Sequence, residues 1–245
     1  MNYEFERLGR MLAAIQSLPR IETDTDRDSF KNGHPGFRVL PHANVVLPLC
    51  TSPRRGEDIS RRNFRTFSQT SASLTEIGNL LSFLQCAATG PNLKLRYASA
   101  GGLYPVQTYV CLHPVRSANS TDASLPLGAY YYNPERHALT LLRKEFSLDR
   151  SIHAAVNRPV FDQASFSLFL IADLQAIAPA YGVDSLRFST LEAGLMAQLL
   201  ESVAPENGIA LCHIGTVDED AVKRTFSLGR LHLFLHSFLG GLLPP

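Results

Sequence analysis

Three short stretches of this sequence carry side chains whose types and spacing could do chemistry. Arg61, Arg62 and Arg65 fall within five residues. Guanidinium groups hold phosphate through two parallel hydrogen bonds, so such a cluster suits a mononucleotide tail, although a solvated basic turn has the same composition. Ser99-Ala100-Gly101-Gly102 lies between Tyr97 and Tyr104-Pro105. Small residues let backbone amides approach a flat or anionic ligand; a tight structural turn is the competing reading. The run leads into a strand, so it is not the dinucleotide G-x-G-x-x-G. In Leu191-Glu192-Ala193-Gly194 with Gln198, a carboxylate and an amide sit in a greasy helix. Buried polar groups require partners, either a ligand or a hydrogen bond across a helix or subunit interface. His232 and His236 fall on one strand face with no carboxylate or thiol near them in sequence, so no metal site is expected.

The elements that must position these groups are legible from periodicity. Phe5, Leu8, Leu12 and Ile15 recur at helical spacing up to Pro19; residues 20 to 36 read as a linker, and 37 to 49 as extended. Ser73 to Glu76 has the form of a capping box, with Leu74, Ile77, Leu81 and Leu84 on one face of the helix it opens. Val106 to Leu112 reads as a strand, and 114 to 126 as a surface loop. Tyr130 to Tyr132 and Ala138 to Leu142 flank the turn Asn133-Pro134-Glu135-Arg136 as a hairpin. Phe166 to Ala172 is a buried strand, and residues 186 to 203 form a helix apolar on several sides, central to the core or to a subunit interface. Ile209 to Ile214 is a short strand, Asp218 caps a helix to about Phe226, and Leu231, Leu233 and Leu235 alternate as a strand. Hairpin-like pairs outnumber βαβ units, which predicts an α+β fold with one mixed sheet.

With 245 residues, 45% hydrophobic and 18% charged, the chain is long enough for one packed domain and an N-terminal lobe. The formal net charge of +1 provides no global field for nucleic acid or an anionic membrane. Cys50, Cys86, Cys111 and Cys212 are too scattered for a disulfide framework or zinc knuckle. Glu4, Glu6, Arg7 and Arg10 are wrong for a signal peptide, and no run of about 18 apolar residues could span a bilayer. A cytoplasmic protein is expected.

Taken in order, these stretches resemble the nitroreductase superfamily, and within it the azoline-oxidising branch: the thiazoline/oxazoline oxidases of cyclised ribosomal peptides and the oxidase domains of nonribosomal peptide synthetases. The synthetase type matches best. The likeness runs through Phe30 to Gly33, Ser60 to Arg65, Tyr97 to Gln107, Gly128 to Tyr132, Asn157-Arg158-Pro159, Ile177 to Gly182, Phe188 to Gln198, Gly208 to Gly215 and His236 to Gly241. The resemblance implies a nitroreductase-like fold, with a mainly antiparallel sheet packed with helices and FMN at a homodimer interface. Residues 1 to 50 would then be an N-terminal helix and linker, and 51 to 245 the FMN-binding oxidase domain. Arg61 and Arg65 would hold the phosphate, ribityl chain or pyrimidine edge, alongside Arg62 and Asn63, the latter where family members often have Ser. Ser99, Ala100 and Gly101 would reach the flavin of the neighbouring subunit, with Gln107 closing that stretch. The backbone at Gly208 and Ile209 would lie near N5, and Glu192 and Gln198 belong to the central helix.

The implied reaction removes a ring proton and a hydride from a thiazoline or oxazoline on a peptidyl carrier protein, and oxygen reoxidises the flavin. The ribosomal-peptide branch uses a Lys-Tyr pair as acid/base; here the pair reads Ala180-Tyr181, which leaves Tyr181, then Tyr104, as catalytic candidates. Ala98 stands where the family usually has proline. The competing expectations are an NAD(P)H-dependent nitroreductase or quinone reductase, and a catalytically silent docking domain.

Overall fold

The computed structural model describes residues 62–87, 94–114 and 127–245, with Ala13, Thr23, Thr25, Asp26, Ser29 and Phe30 in addition. The chain divides into two units, Met1–Arg55 and Gly56–Pro245. In the first, Thr25, Asp26, Ser29 and Phe30 are helical, so the stretch expected as a linker carries helix. The expected N-terminal helix is described only at Ala13, which is helical, and the extended stretch 37 to 49 lies outside the described residues, as does most of the loop 114 to 126.

In the second unit, Ser73 opens helix α1 (Leu74–Leu81) with the predicted capping box. Glu76 N–H donates to the Ser73 hydroxyl at 3.3 Å and Ser73 N–H donates to the Glu76 carboxylate at 2.7 Å. Ile77, Leu81 and the following Leu84 are buried, but Leu74, expected beside them, is exposed in the first turn. Then come β1 (Val106–Leu112), β2 (Gly128–Asn133), β3 (Ala138–Lys144), β4 (Phe166–Asp173), α2 (Asp184–Val203), β5 (Ile209–Ile214), α3 (Glu219–Phe226) and β6 (His232–Leu242). The β2–β3 turn is held by Asn133, whose side-chain carbonyl accepts from the N–H groups of Glu135 and Arg136 at 3.0 Å each. The predicted Asp218 cap accepts from Ala221 N–H at 2.9 Å.

The strands form one sheet in the order β3-β2-β1-β4-β6-β5, and every pairing among the described residues is antiparallel. The architecture is α+β, without the parallel pairs that a mixed sheet would carry. On one face Val110, Leu168, Leu170, Leu211 and Phe238 pack with α1 and with Ala193, Met196 and Leu200 of α2. On the other, Tyr109, Phe169, Ile171 and Phe234 pack with Val222 and Phe226 of α3. None of the described helices is long and apolar enough to cross a membrane.

One irregularity in β6 matters for the site. Leu170 pairs with His236 and Ile171 with Phe234, so Leu235 is an extra residue, a β-bulge. A bulge reverses the faces of the residues beyond it. Phe234 therefore joins the α3 side while Phe238 joins the α2 side. His232 and His236, expected on one strand face, are thrown onto opposite faces for the same reason.

Gly240 lies opposite Phe166 in the β4–β6 ladder, and the Phe166 ring occupies the space a Cβ on Gly240 would need. Phe166 is fully buried and has nowhere to retreat. Gly240→Ala is expected to cost about 1–3 kcal/mol of stability through overpacking, read as a lower urea midpoint; an unchanged midpoint refutes the close packing.

Candidate active site

Glu192 is the polar centre of α2. It is 2% exposed, on the helix face that meets the sheet. Its carboxylate accepts from the Val106 N–H, at the start of β1, at 3.1 Å, and from the Ser99 hydroxyl. The same Ser99 oxygen accepts from Tyr104 N–H at 2.9 Å. One buried carboxylate thus ties the Ser-Ala-Gly-Gly run and the first residue of β1 to the long helix. Burial pushes the Glu192 carboxyl up to about 7, against the pull of its two hydrogen bonds.

The run itself is a single helical turn, Ala100–Gly102, with an exposed backbone. Gly101 (φ +61°), Gly102 (φ +67°) and Tyr104 (φ +48°) all lie in the left-handed region, which Gly adopts without a Cβ penalty. Gly102 N–H donates to Ser99 O and Leu103 N–H to Ala100 O, while the amides of Ala100 and Gly101 meet no acceptor among the described residues. A Cβ on Gly101 would stand 2.8 Å from the Tyr181 hydroxyl. Tyr181 is half-buried at the end of the helical turn Ala178–Tyr181, with its ring edge-on to Phe188 at 5.0 Å. Ser99, Gly101, Tyr181 and Glu192, picked from three separate stretches of sequence, are therefore brought together.

The remaining expected residues divide. Arg61 lies outside the described residues. Arg62, Asn63 and Arg65 are exposed on a segment that runs along β5: Phe64 N–H donates to Leu211 O at 3.0 Å, and the Asn63 side-chain oxygen accepts from His213 N–H at 2.8 Å. One terminal nitrogen of Arg65 donates to Val156 O at 2.9 Å and to the Asn157 side chain at 3.2 Å. Tyr104 is held structurally: its hydroxyl accepts from Leu95 N–H at 3.2 Å, and with Gln107 it borders a cavity of about 190 Å³. Gln107 is on the Tyr109 side of β1 and accepts from the Tyr109 hydroxyl at 2.5 Å. Gln198 does not join Glu192. Six residues along an α-helix turn the two about 120° apart, and the exposed Gln198 amide donates to Ser202 at 2.9 Å. Leu195 is likewise exposed. Gly208 (φ +72°) donates its N–H to Pro205 O and Ile209 donates its N–H to Ala204 O, so both amides are used within the chain.

Another constellation was not singled out in the sequence as a site. His213 Nδ1 and His236 Nε2 are 2.9 Å apart, and His213 Nε2 lies 3.3 Å from a carboxylate oxygen of Glu201, itself 6% exposed. Both imidazoles border a cavity of about 320 Å³ lined by Thr190, Ala193, Gly194 and Ala197 of α2, with Leu235. Among the described residues no group of three or more His, Cys, Asp or Glu side chains is arranged to hold a metal ion. A residue-level signal existed, because Glu201 continues the Thr190, Gly194, Ala197 ridge of α2 at helical spacing, but the bulge that delivers His236 has none.

A family model described as "Nitroreductase family" matches residues 59–240. The chain is 27% identical over 176 residues to indigoidine synthase of Streptomyces lavendulae; the match covers 66% of this chain and 12% of the length of that synthase. Its fold is similar to the solved E. coli microcin synthetase McbBCD complex with truncated pro-MccB17 bound, with a TM-score of 0.71 and 19% identity over 95% of this chain and 86% of that one. It is also similar to a putative nitroreductase in complex with FMN from Desulfovibrio desulfuricans, with a TM-score of 0.51 and 12% identity over 80% and 89% of the two chains.

The Glu192 clasp has a pH signature. In the folded chain its carboxyl holds its proton up to about pH 7, against an ordinary 4.5 once unfolded. Between these values the folded state binds more protons, so stability falls as pH rises from 4.5 to 7. Glu192→Gln removes that dependence: the slope of the urea midpoint against pH over this window is expected to flatten, and an unaltered slope refutes the assignment.

Proposed function

This chain belongs to the nitroreductase family, and we propose that within it the protein is an FMN-dependent oxidase that dehydrogenates a carrier-protein-bound thiazoline or oxazoline to the aromatic azole during nonribosomal peptide synthesis. The observation that carries the reading is the convergence of the Ser99–Gly101 turn, with two amides that meet no acceptor among the described residues, on Tyr181 and Glu192. Bound FMN supplies a hydride acceptor that molecular oxygen reoxidises. The chain's own residues bind and orient. Small residues and left-handed glycines at 100 to 102 leave a flat, donor-bearing surface that suits a planar cofactor. Arg61, Arg62 and Arg65 supply guanidinium groups for its phosphate. Tyr181 is the retained half of the Lys-Tyr pair, and its hydroxyl, beside Gly101, is placed to hydrogen-bond the reacting ring.

Two comparisons support this branch of the family. The fold likeness to the microcin synthetase complex runs over nearly the whole chain. In indigoidine synthase the matched stretch is a small part of a much longer protein, which suits a substrate delivered by a carrier. A homodimer with the cofactor between subunits is supported by α2, which exposes Leu191 (59%) and Leu195 (47%). A large apolar side chain exposed at successive turns of a long helix suits a second copy of the chain.

Stopped-flow absorbance tests the substrate class. A carrier-bound thiazoline thioester is expected to bleach the flavin band without oxygen, and NADPH is not; the reverse pattern makes the protein a nicotinamide-dependent reductase. Tyr181→Phe is expected to retain FMN while slowing substrate-driven bleaching by roughly tenfold to a hundredfold, toward the lower end of acid–base effects. Full-speed bleaching removes Tyr181 from the chemistry.

A further inference from the structure

Two buried polar side chains have nothing in the protein to bond. Tyr97 is 9% exposed and Thr108 4%, and neither hydroxyl makes a hydrogen bond among the described residues. Buried hydroxyls are nearly always paired, with protein, water or a ligand. Both residues line the cavity of about 190 Å³ that Tyr104 and Gln107 border. The Tyr104 hydroxyl accepts from Leu95 N–H there and still has its own hydrogen to give. The Tyr97 and Tyr104 rings meet edge-on, with centroids 5.8 Å apart. Burial, and after it the nearby Glu192 carboxylate, push the Tyr97 phenol up, so it keeps its proton and stays a donor.

The cavity exists because the sheet is open at this point. β1 pairs with β4 from Val106 onward but with β2 only from Tyr109, which leaves a gap beside residues 106 to 108. Tyr131, Tyr132 and Pro134 line the far side of that gap. Its near end adjoins the Ser99–Gly101 turn. Leu103 lines the cavity, and its Cγ stands 3.6 Å from the point that a Cβ on Gly101 would occupy. That same point lies 2.8 Å from the Tyr181 hydroxyl. One leucine thus separates the cavity from the place where the functional reading puts the reacting ring.

The lining decides what the cavity can hold. Among the described residues no charged side chain borders it, so a carboxylate or phosphate would be buried without a partner. Leu84, Leu95, Leu103 and Val106 supply apolar wall for methylene groups. The phenols offer donors to a carbonyl, and the Thr108 hydroxyl can also accept from an N–H. The volume is that of about six waters at ~30 Å³ each, room for one amide and its flanking carbons. We propose that this cavity is a substrate subsite for a neutral secondary amide joined to the azoline, with Tyr97 and Thr108 binding its carbonyl and N–H. The inference rests on the azoline-oxidase reading above. Such an amide comes either from the arm that tethers the ring to its carrier or from the residue preceding the ring in the peptide. Filling the subsite holds the ring beside Tyr181, which makes Tyr97 and Thr108 specificity-determining residues and not acid/base ones.

Tyr97→Phe and Thr108→Val keep the side-chain shapes and remove the hydroxyls. No protein group holds either hydroxyl, so the urea midpoint is expected to stay level or rise in both variants. A midpoint lowered in both reveals structural hydrogen bonds and overturns the inference. Calorimetric titration of the FMN-loaded protein with the azole product as its pantetheine thioester, with the preceding residue attached, reads binding without turnover. Each variant is expected to weaken that binding about threefold to tenfold, the scale of one neutral hydrogen bond. No binding by the wild type, or equal affinity in wild type and both variants, overturns the subsite. Two trimmed azoles identify the source: a methyl thioester lacks the amides of the arm, and a 2-methyl azole lacks the preceding residue. The trimmed azole that wild type and Tyr97→Phe bind equally has lost the amide that the cavity holds. If both trimmed azoles still distinguish the two proteins, the cavity does not read an amide and the inference falls. Wild-type flavin that stays oxidised with a carrier-bound thiazoline overturns the functional reading instead.

Discussion

A carboxylate inside an apolar helix face must be hydrogen-bonded or protonated, and at Glu192 this requirement organises the molecule. Its acceptor capacity is met by a hydroxyl from the Ser99 turn and by the first N–H of β1. The turn could not otherwise be fixed: its glycines have left-handed backbones and its tip is exposed, so it has almost no packing of its own. Glu192 converts a weakly held loop into a platform of set position relative to α2. Because α2 also packs against the sheet through Ala193, Met196 and Leu200, the platform inherits the rigidity of the core. The proximity of Gly101 to Tyr181 then follows, since Tyr181 lies just ahead of α2 and Phe188, on that helix, supports its ring.

The same helix solves a second positioning problem on another ridge. Thr190, Gly194, Ala197 and Glu201 follow one another at helical spacing, and the first three line the cavity that the two histidines border. His213 faces α2 because it shares a side of β5 with Ile209 and Leu211, which pack in that layer. His236 faces it only because Leu235 is inserted as a bulge. Without the extra residue, strand alternation would send His236 to the α3 side with Phe234. A one-residue irregularity therefore decides whether an imidazole pair exists, which is the re-aiming role that bulges often serve near functional sites.

What the sequence made legible was local. The capping box at Ser73, the Asn133 turn, the Asp218 cap and the limits of β1 are all set by interactions spanning a few residues, and each was found where its pattern stood. Helical phase at Gln198 is not readable, because a run apolar on several sides gives no clear buried face to show that Glu192 is buried while Gln198 is exposed. Antiparallel pairing throughout was not readable, since strands far apart in the chain, such as β4 and β6, give no turn signal to set their direction. The segment around Arg62 looked like a ligand-binding turn, yet its backbone also pairs with β5 and Arg65 shares its donors with residues 156 and 157. Charge type shows in sequence, while the partners that take up some of its donors do not.

The departures from the family pattern become intelligible together. Proline before the Ser-Ala-Gly-Gly run would restrict the backbone there directly; with Ala98 that restraint is absent, and the Glu192–Ser99–Tyr104 chain of hydrogen bonds provides one from outside the turn. Lysine before Tyr181 would place an ammonium or amine beside the phenol; with Ala180 the phenol keeps its place against Gly101 and Phe188 without it. At Ala98 a restraint that a proline ring would supply is replaced by a network built from distant residues. Such networks tolerate the loss of the local residue because the sheet and α2, not the loop, determine their geometry. Removing a member of the network is then more damaging than the original substitution, since it leaves a buried polar group unpaired.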